Sequence, residues 1–310
     1  MHKDTSFTPG DPVPTPYLEL SSSFPRYSAP QGSSARVLSA TTMSRNESKQ
    51  NGDEARDFIR MTFVHGFTQI GRSWSKIAAQ MVDDYEVMLV DAPGHGGSSD
   101  IHVDLVDGAA LLAKTAGQSI YVGYSMGGRL CLQLAVDHPH LVRALILLGA
   151  TPGIEDEEER KRRYASDLVL AEQLDPSGDR SDKSASGQQE RLDGFLRRWL
   201  EQPIFATLPP SKQDLDLRRS NTPSGLASSL RLASTGAQHP LWNRLGELGM
   251  PVLVMAGERD EKFSIIGQRM ANAIGQNARF VSIPGAGHAA HLEKPKLFLE
   301  ALDNFLKAIF

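Results

Sequence analysis

One seven-residue stretch, Gly123-Tyr124-Ser125-Met126-Gly127-Gly128-Arg129, constrains this chain more than any other. The apolar segment Ile120-Tyr121-Val122 precedes it. Leu130-Cys131-Leu132-Gln133-Leu134-Ala135 follows as helix-forming sequence that stops at His138-Pro139. Strand, sharp turn and helix therefore come in that order, with Ser125 at the turn. The pattern is G-x-S-x-G. So tight a turn drives its serine into strained backbone geometry, and a side chain at either glycine would meet neighbouring backbone. It also lifts the Ser125 hydroxyl clear of a sheet and over the positive end of a helix. The bare pattern recurs by chance. It gains weight only if the chain also supplies an acid, a histidine and a pair of N–H groups that can hold an oxyanion.

The rest of the chain alternates apolar strands with helices. Phe58 to Val64, Glu86 to Val90, Leu145 to Leu148, Pro251 to Ala256 and Arg279 to Ile283 have strand length and composition. Trp74, Ile77, Ala78 and Met81 have helical spacing, as do stretches near 104–116 and 264–274. A closing helix uses Leu297, Phe298, Leu302, Phe305 and Leu306. This alternation predicts an α/β chain with a mostly parallel sheet covered on both faces. Residues 1–56, rich in Ser, Pro, Thr and Gly, read as a disordered tail, with a weak strand conceivable at 36–40 and an alternative start at Met43. Residues 57–150 and 241–310 read as the core. Residues 151–240 are charged and helical, without apolar strand runs, and read as a helical cap inserted over the sheet edge. Within them, 174–189 reads as a low-complexity loop.

Bulk properties exclude several classes. With 40% hydrophobic and 23% charged residues in 310, a sizeable core is expected and wholesale disorder is not. A net charge of −4 argues against nucleic acid as a partner. The single cysteine, Cys131, excludes an intramolecular disulfide and any multi-cysteine zinc site, and it fits a reduced cytoplasm. No apolar run approaches the ~20 residues that span a bilayer. Met1 to Gly10 lacks the apolar core of a signal peptide, so a cytoplasmic protein is expected; the sequence leaves a monomer and a small homo-oligomer both open.

Two residues fall where the serine needs them. Asp260 follows the strand ending near Ala256, and His288 follows the next strand, in Pro284-Gly285-Ala286-Gly287-His288. The order Ser125, Asp260, His288 is that of α/β-hydrolases, which makes the heptapeptide a nucleophile elbow. His288 can take the serine proton while Asp260 holds the imidazole tautomer. His291 is a rival three residues on, but strand-end position favours His288. Asp91 is a rival acid, but its strand precedes the elbow. The oxyanion-hole N–H groups should come from Met126 and from the loop after His65-Gly66, at Phe67. His65 and His95 read as loop supports. Arg129 lies one helical turn after Ser125, and Arg160, Arg162, Arg163, Arg218 and Arg219 populate the cap. Guanidinium groups converging on a pocket would suit a polycarboxylate. Solvated helix charges, or a salt bridge at Arg129, remain the alternative.

Taken together, several motifs resemble one family. They are His65-Gly66-Phe67-Thr68, Pro93-Gly94-His95-Gly96, the elbow with Arg129, and Thr151-Pro152-Gly153-Ile154 followed by Arg160 and Arg163. To these add Trp199 with Gln202-Pro203-Ile204-Phe205, Arg219-Ser220-Asn221, and Gly257-Glu258-Arg259-Asp260-Glu261-Lys262-Phe263. Over residues 58–310 they resemble the 2-succinyl-6-hydroxy-2,4-cyclohexadiene-1-carboxylate synthases of menaquinone biosynthesis. The resemblance implies a cofactor-free lyase that eliminates pyruvate from a small polycarboxylate. It implies a Ser125–His288–Asp260 base and N–H groups of Phe67 and Met126 on the enolate. It also implies substrate contacts from Tyr124, Arg129, Arg163, Trp199 and Arg219. The chain departs from the pattern at Leu148, where the family often has Glu, and the Arg218-Arg219 doublet leaves open which arginine meets substrate. A serine ester or thioester hydrolase and a non-catalytic receptor are the competing readings.

Overall fold

The apolar runs form one seven-stranded sheet. Its strands are β1 (Ala40–Met43), β2 (Arg60–Val64), β3 (Glu86–Val90), β4 (Ser119–Tyr124), β5 (Val142–Leu148), β6 (Val252–Gly257) and β7 (Ala278–Ile283). The computed structural model describes residues 37–43, 58–176 and 184–310, all within one compact unit, Arg36–Phe310. In space the strand order is β1-β3-β2-β4-β5-β6-β7. Only β1 runs antiparallel, with Ala40 opposite Val90 and Met43 opposite Val87. The remaining pairs are parallel. Parallel strands end on the same edge. The loops after β2, β4, β5, β6 and β7 therefore gather there, where open α/β sheets bind their ligands.

Among the described residues, the helices that accompany the core strands are α1 (Ser75–Ala78), α2 (Leu105–Ala116), α3 (Met126–Asp137), α8 (Glu261–Ile274), α9 (Ala290–Glu293) and α10 (Pro295–Ile309). Between β5 and β6 the chain forms α4 (Glu157–Leu174), α5 (Ala185–Leu200), α6 (Lys212–Arg218) and α7 (Pro223–Leu232). Strand alternation sorts side chains to two faces. Met61, Phe63, Leu89, Ile120 and Val122 pack with Trp74, Phe298, Leu302 and Phe305. Val64, Val90, Tyr121, Leu145 and Leu147 pack with Leu112, Leu130, Leu134 and Met270 on the other face. Burying one such Leu or Phe contributes about 1.5–3 kcal/mol. A third cluster, built from Ala171, Leu174, Phe195, Leu196, Leu226 and Leu230, belongs to α4, α5 and α7 and receives Phe67 from the loop after β2. That contact ties the inserted helices to the sheet edge beside Ser125.

Three expectations need correction. The span 1–56 is not all tail: β1 covers the sheet edge, Leu38 is buried, and Ser39 N donates to Ser98 Oγ at 2.9 Å. Composition undervalued this strand because its order comes from the edge it pairs with. The rest of that span lies outside the described residues. Within 174–189, helix resumes at Ala185, capped by Ser184, whose hydroxyl accepts from Gly187 N at 3.1 Å. Residues 177–183 lie outside the described residues. In α10 Leu297 faces outward, and Phe298, Leu302, Phe305 and Leu306 form the buried stripe.

Candidate active site

β4 ends at Tyr124 and α3 begins at Met126, so Ser125 alone makes the turn. Its backbone sits at φ 51° and ψ −108°, strained for a residue with a Cβ. Close approach enforces this. A Cβ on Gly123 would stand 2.6 Å from Gly127 O and Gly128 Cα, and one on Gly127 would collide with the Val64 and His65 carbonyl oxygens. His288 Nε2 lies 3.0 Å from Ser125 Oγ, and His288 Nδ1 lies 2.6 Å from Asp260 Oδ2. An ionised Asp260 accepts from Nδ1–H, which leaves Nε2 free to accept the hydroxyl proton. Asp260 also caps α8, accepting from Phe263 N at 3.4 Å.

The loop carrying His288 is clamped by a residue that sequence reasoning missed. Gly287 N and Ala289 N donate to the two oxygens of Glu293 at 2.7 and 3.1 Å. The available signal was a carboxylate five residues after the histidine. The rivals stand elsewhere. Asp91 accepts from Gly71 N (2.7 Å) and Gly97 N (2.8 Å), joining two loops. His291 is packed between Trp74 and Tyr124, at ring distances of 4.2 and 4.5 Å. Neither of its nitrogens has a hydrogen-bond partner among the described residues.

Met126 and Phe67 line the cavity beside the serine. Met126 opens α3, so its N–H has no carbonyl four residues back to bond. Phe67 follows the strand β2 and lines the same cavity as Ser125, Met126 and His288. The Phe67 loop is held by two buried histidines. The Nδ1–H of His65 donates to Gly66 O and that of His95 to Pro93 O, each at 2.9 Å. Their Nε2 atoms accept from Ala92 N (3.0 Å) and Thr68 N (3.3 Å). Burial pushes the His65 pKa down to about 4. Burial, and then the neighbouring His65, pushes His95 down to about 3. Both rings are neutral loop braces, not proton carriers.

The cavity measures about 660 Å³ and reaches from Ser125 to α4, α5 and α7. Tyr124, Trp199 and Phe205 supply aromatic wall, with Trp199 at 4.9 Å from the Phe67 ring, edge to face. Burial pushes the Tyr124 hydroxyl pKa up, so it stays protonated. Four arginines enter the lining: Arg129 and Arg218 are buried, while Arg163 and Arg269 are exposed at its rim, Arg269 paired with Glu155. Arg129 donates from Nη1 to Gln238 Oε1 (3.1 Å) and from Nη2 to Ala233 O (2.8 Å). Burial, and then the Arg163 charge, lowers its pKa to about 10, which leaves it cationic at neutral pH. Arg163 Nε reaches both Asp167 oxygens, at 3.0 and 2.9 Å. Arg218 Nε pairs with Asp214 Oδ2 at 2.7 Å, and its Nη1 donates to Thr68 Oγ1.

Arg219 is the site residue that the fold places elsewhere. Its guanidinium pairs with Asp193 (2.9 Å) and Asp216 (3.2 Å) on the surface, and Arg218 lines the cavity in its stead. Successive helical residues point about 100° apart, so only one of the doublet can face inward. Arg160 donates to Ile154 O, and Arg162 is exposed. Among the described residues, no group of three or more His, Cys, Asp or Glu is placed to hold a metal ion. No helix among them is long and apolar enough to cross a membrane. A serine–histidine–aspartate relay opening onto a cavity lined by several arginines has the chemistry to abstract a proton from, or attack a carbonyl of, an anionic substrate.

Fold and site define the class: the chain belongs to the alpha/beta hydrolase fold family, whose model matches residues 59–295. Within that class it belongs with the 2-succinyl-6-hydroxy-2,4-cyclohexadiene-1-carboxylate synthases. It is 33% identical over 258 residues to the one from Enterobacter sp. (strain 638), covering 81% of this chain and 92% of that protein. It is 31% identical over 255 residues to the one from Escherichia coli O1:K1 / APEC, covering 80% and 93%. Among solved structures it is similar to MenH from S. aureus, with a TM-score of 0.74 at 29% identity over 87% of this chain and 98% of that one. The enol-lactonase from Burkholderia xenovorans LB400 shares the fold at 18% identity, with a TM-score of 0.62 over 87% and 96%.

Proposed function

We propose that this protein is a cofactor-free lyase of menaquinone biosynthesis. It would eliminate pyruvate from 2-succinyl-5-enolpyruvyl-6-hydroxy-3-cyclohexene-1-carboxylate and leave the 2,4-cyclohexadiene named in its relatives. The bond changes follow from the two structures. Removing the C2 proton forms the C2=C3 bond. The C3=C4 bond shifts to C4=C5, and the C5–O bond breaks with its electron pair on oxygen, releasing the enolate of pyruvate, which takes up one proton on carbon to give pyruvate.

The C2 hydrogen is acidic because the succinyl ketone beside it can carry the negative charge as an enolate. In this reading Ser125 and His288 remove that proton, with Asp260 stabilising the imidazolium that forms. The N–H groups of Phe67 and Met126 hold the enolate oxygen. Arg129, Arg163 and Arg218 hold substrate carboxylates, and Tyr124 and Trp199 line the ring pocket. Residues 151–240 act as the cap that carries most of these groups. The observation that carries the reading is convergence: the serine–histidine–aspartate chain opens onto the same cavity as those three arginines.

The rival, a serine ester or thioester hydrolase using Ser125 as a true nucleophile, is not favoured by the relatives' names. Pyruvate release, coupled to lactate dehydrogenase, tests the reading. Arg129→Ala should lower kcat/KM by about a hundredfold or more, as expected for losing a charge-assisted carboxylate contact. A small-ester hydrolase would lose little.

A further inference from the structure

The arginines of the cavity are not equivalent in charge. Arg163 is matched by Asp167, Arg218 by Asp214 and Arg269 by Glu155. Arg129 has no carboxylate partner among the described residues. Its two acceptors are the Ala233 carbonyl and the side-chain amide of Gln238. Asp167 is close enough to raise the Arg129 pKa, but both its oxygens meet Arg163, and one also accepts from Ser234 Oγ at 2.6 Å. The group formed by Arg129, Arg163 and Asp167 thus keeps one uncompensated positive charge at the cavity wall.

We infer that Gln238 is a specificity-determining residue, a neutral acceptor that orients Arg129 while leaving its charge for a carboxylate of the substrate. The amide is buried and used at both ends. Nε2 donates to Pro152 O at 3.2 Å, which turns Oε1 toward Arg129 Nη1 at 3.1 Å. Pro152 O accepts only, so the amide cannot flip without placing two acceptors together. A glutamate here would have nearly the same shape and would still accept from Arg129. It would also neutralise the arginine and set a carboxylate against an anionic substrate. An amide gives the geometry of an ion pair without its charge cancellation. The inference rests on the polycarboxylate reading of this cavity.

The test is equilibrium binding of the diene product, measured by calorimetry at two salt concentrations. The proteins are wild type, Gln238→Glu and Gln238→Met, with thermal melts alongside. If Gln238 served packing alone, Glu would replace it better than Met, because Glu keeps the oxygen that Arg129 needs. The charge account predicts the reverse order. Gln238→Met should bind a few-fold more weakly than wild type with the same salt dependence. Gln238→Glu should bind roughly tenfold or more below Gln238→Met with a flattened salt dependence.

Wild-type affinity in Gln238→Glu, a weaker Gln238→Met, or no product binding by wild type would each overturn the inference. If Gln238→Glu does not fold, Gln238→Met decides: weakened binding with an unchanged salt slope supports it, and unweakened binding overturns it. Pyruvate release by wild type, run beside these, reads the proposed reaction separately. Product bound without pyruvate formed would sink the reaction and leave the receptor standing.

Discussion

Among the described residues, the imidazoles of His65, His95 and His291 are buried without charge, and acid should find them. Burial lowers the pKa of His65 to about 4, and those of His95 and His291 to about 3. Arg218 lowers His65 and His291 further, His65 lowers His95, and His288 lowers His291. The Gly66 and Pro93 carbonyls and Asp91 oppose these effects at His65 and His95. In the unfolded chain each ring titrates near ~6.5. Between that value and the folded ones, the unfolded chain binds protons that the folded chain refuses. The stability these rings confer is therefore complete above about pH 6.5 and lost as pH falls toward 4. Each proton is worth about 1.4 kcal/mol per pH unit, so three give about 4 kcal/mol per unit across roughly pH 6 to 4.5. Against a total stability of about 5–15 kcal/mol, that slope unfolds a chain at the low end near pH 5 and removes most of the stability of one at the high end by about pH 4.

His291→Phe isolates one third of the effect. The ring lies between Trp74 and Tyr124, and neither nitrogen has a partner among the described residues, so a phenyl ring keeps the contacts and removes the proton site. Urea melts from about pH 7.5 to about pH 5 should show the pH slope of stability reduced by about a third. The variant should be more stable than wild type at the acid end. Equal slopes would refute the assignment of a buried neutral His291.

Two further outcomes follow from the geometry. Arg218→Ala leaves the half-buried Asp214 without its partner and should cost about 3–5 kcal/mol in thermal or urea melts, with loss of pyruvate release. Arg219→Ala should leave both nearly unchanged, since its guanidinium pairs with surface carboxylates. Gly127→Ala should destabilise the fold by about 3 kcal/mol or more, because its Cβ meets the Val64 and His65 carbonyls, which are fixed backbone. Circular-dichroism melts will read it.

The elbow was legible in the sequence because its pattern is contiguous: the one-residue turn at Ser125 brings Gly123 against Gly127 and Gly128, and Gly127 lies against the Val64 and His65 carbonyls of the neighbouring strand end. The positions of Asp260 and His288 were legible because parallel strands must end on one edge, so strand ends in chain order became neighbours in space. What stayed hidden depends on long-range packing. Nothing near Arg219 announces that Asp193, on another helix, holds it outward while Arg218 turns inward. Gln238 meets Arg129 across 109 positions and Pro152 across 86, and no local pattern encodes either contact. The edge strand β1 escaped composition because its partner β3, not its own residues, gives it order.

The central claim is that Ser125 and His288 serve proton removal and pyruvate loss. Pyruvate release from the cyclohexene substrate, followed through lactate dehydrogenase for wild type and Ser125→Ala, tests it most directly. The account predicts one pyruvate per substrate consumed by wild type and a loss on the order of a thousandfold or more in Ser125→Ala. No pyruvate from wild type, or an undiminished rate in Ser125→Ala, would contradict it.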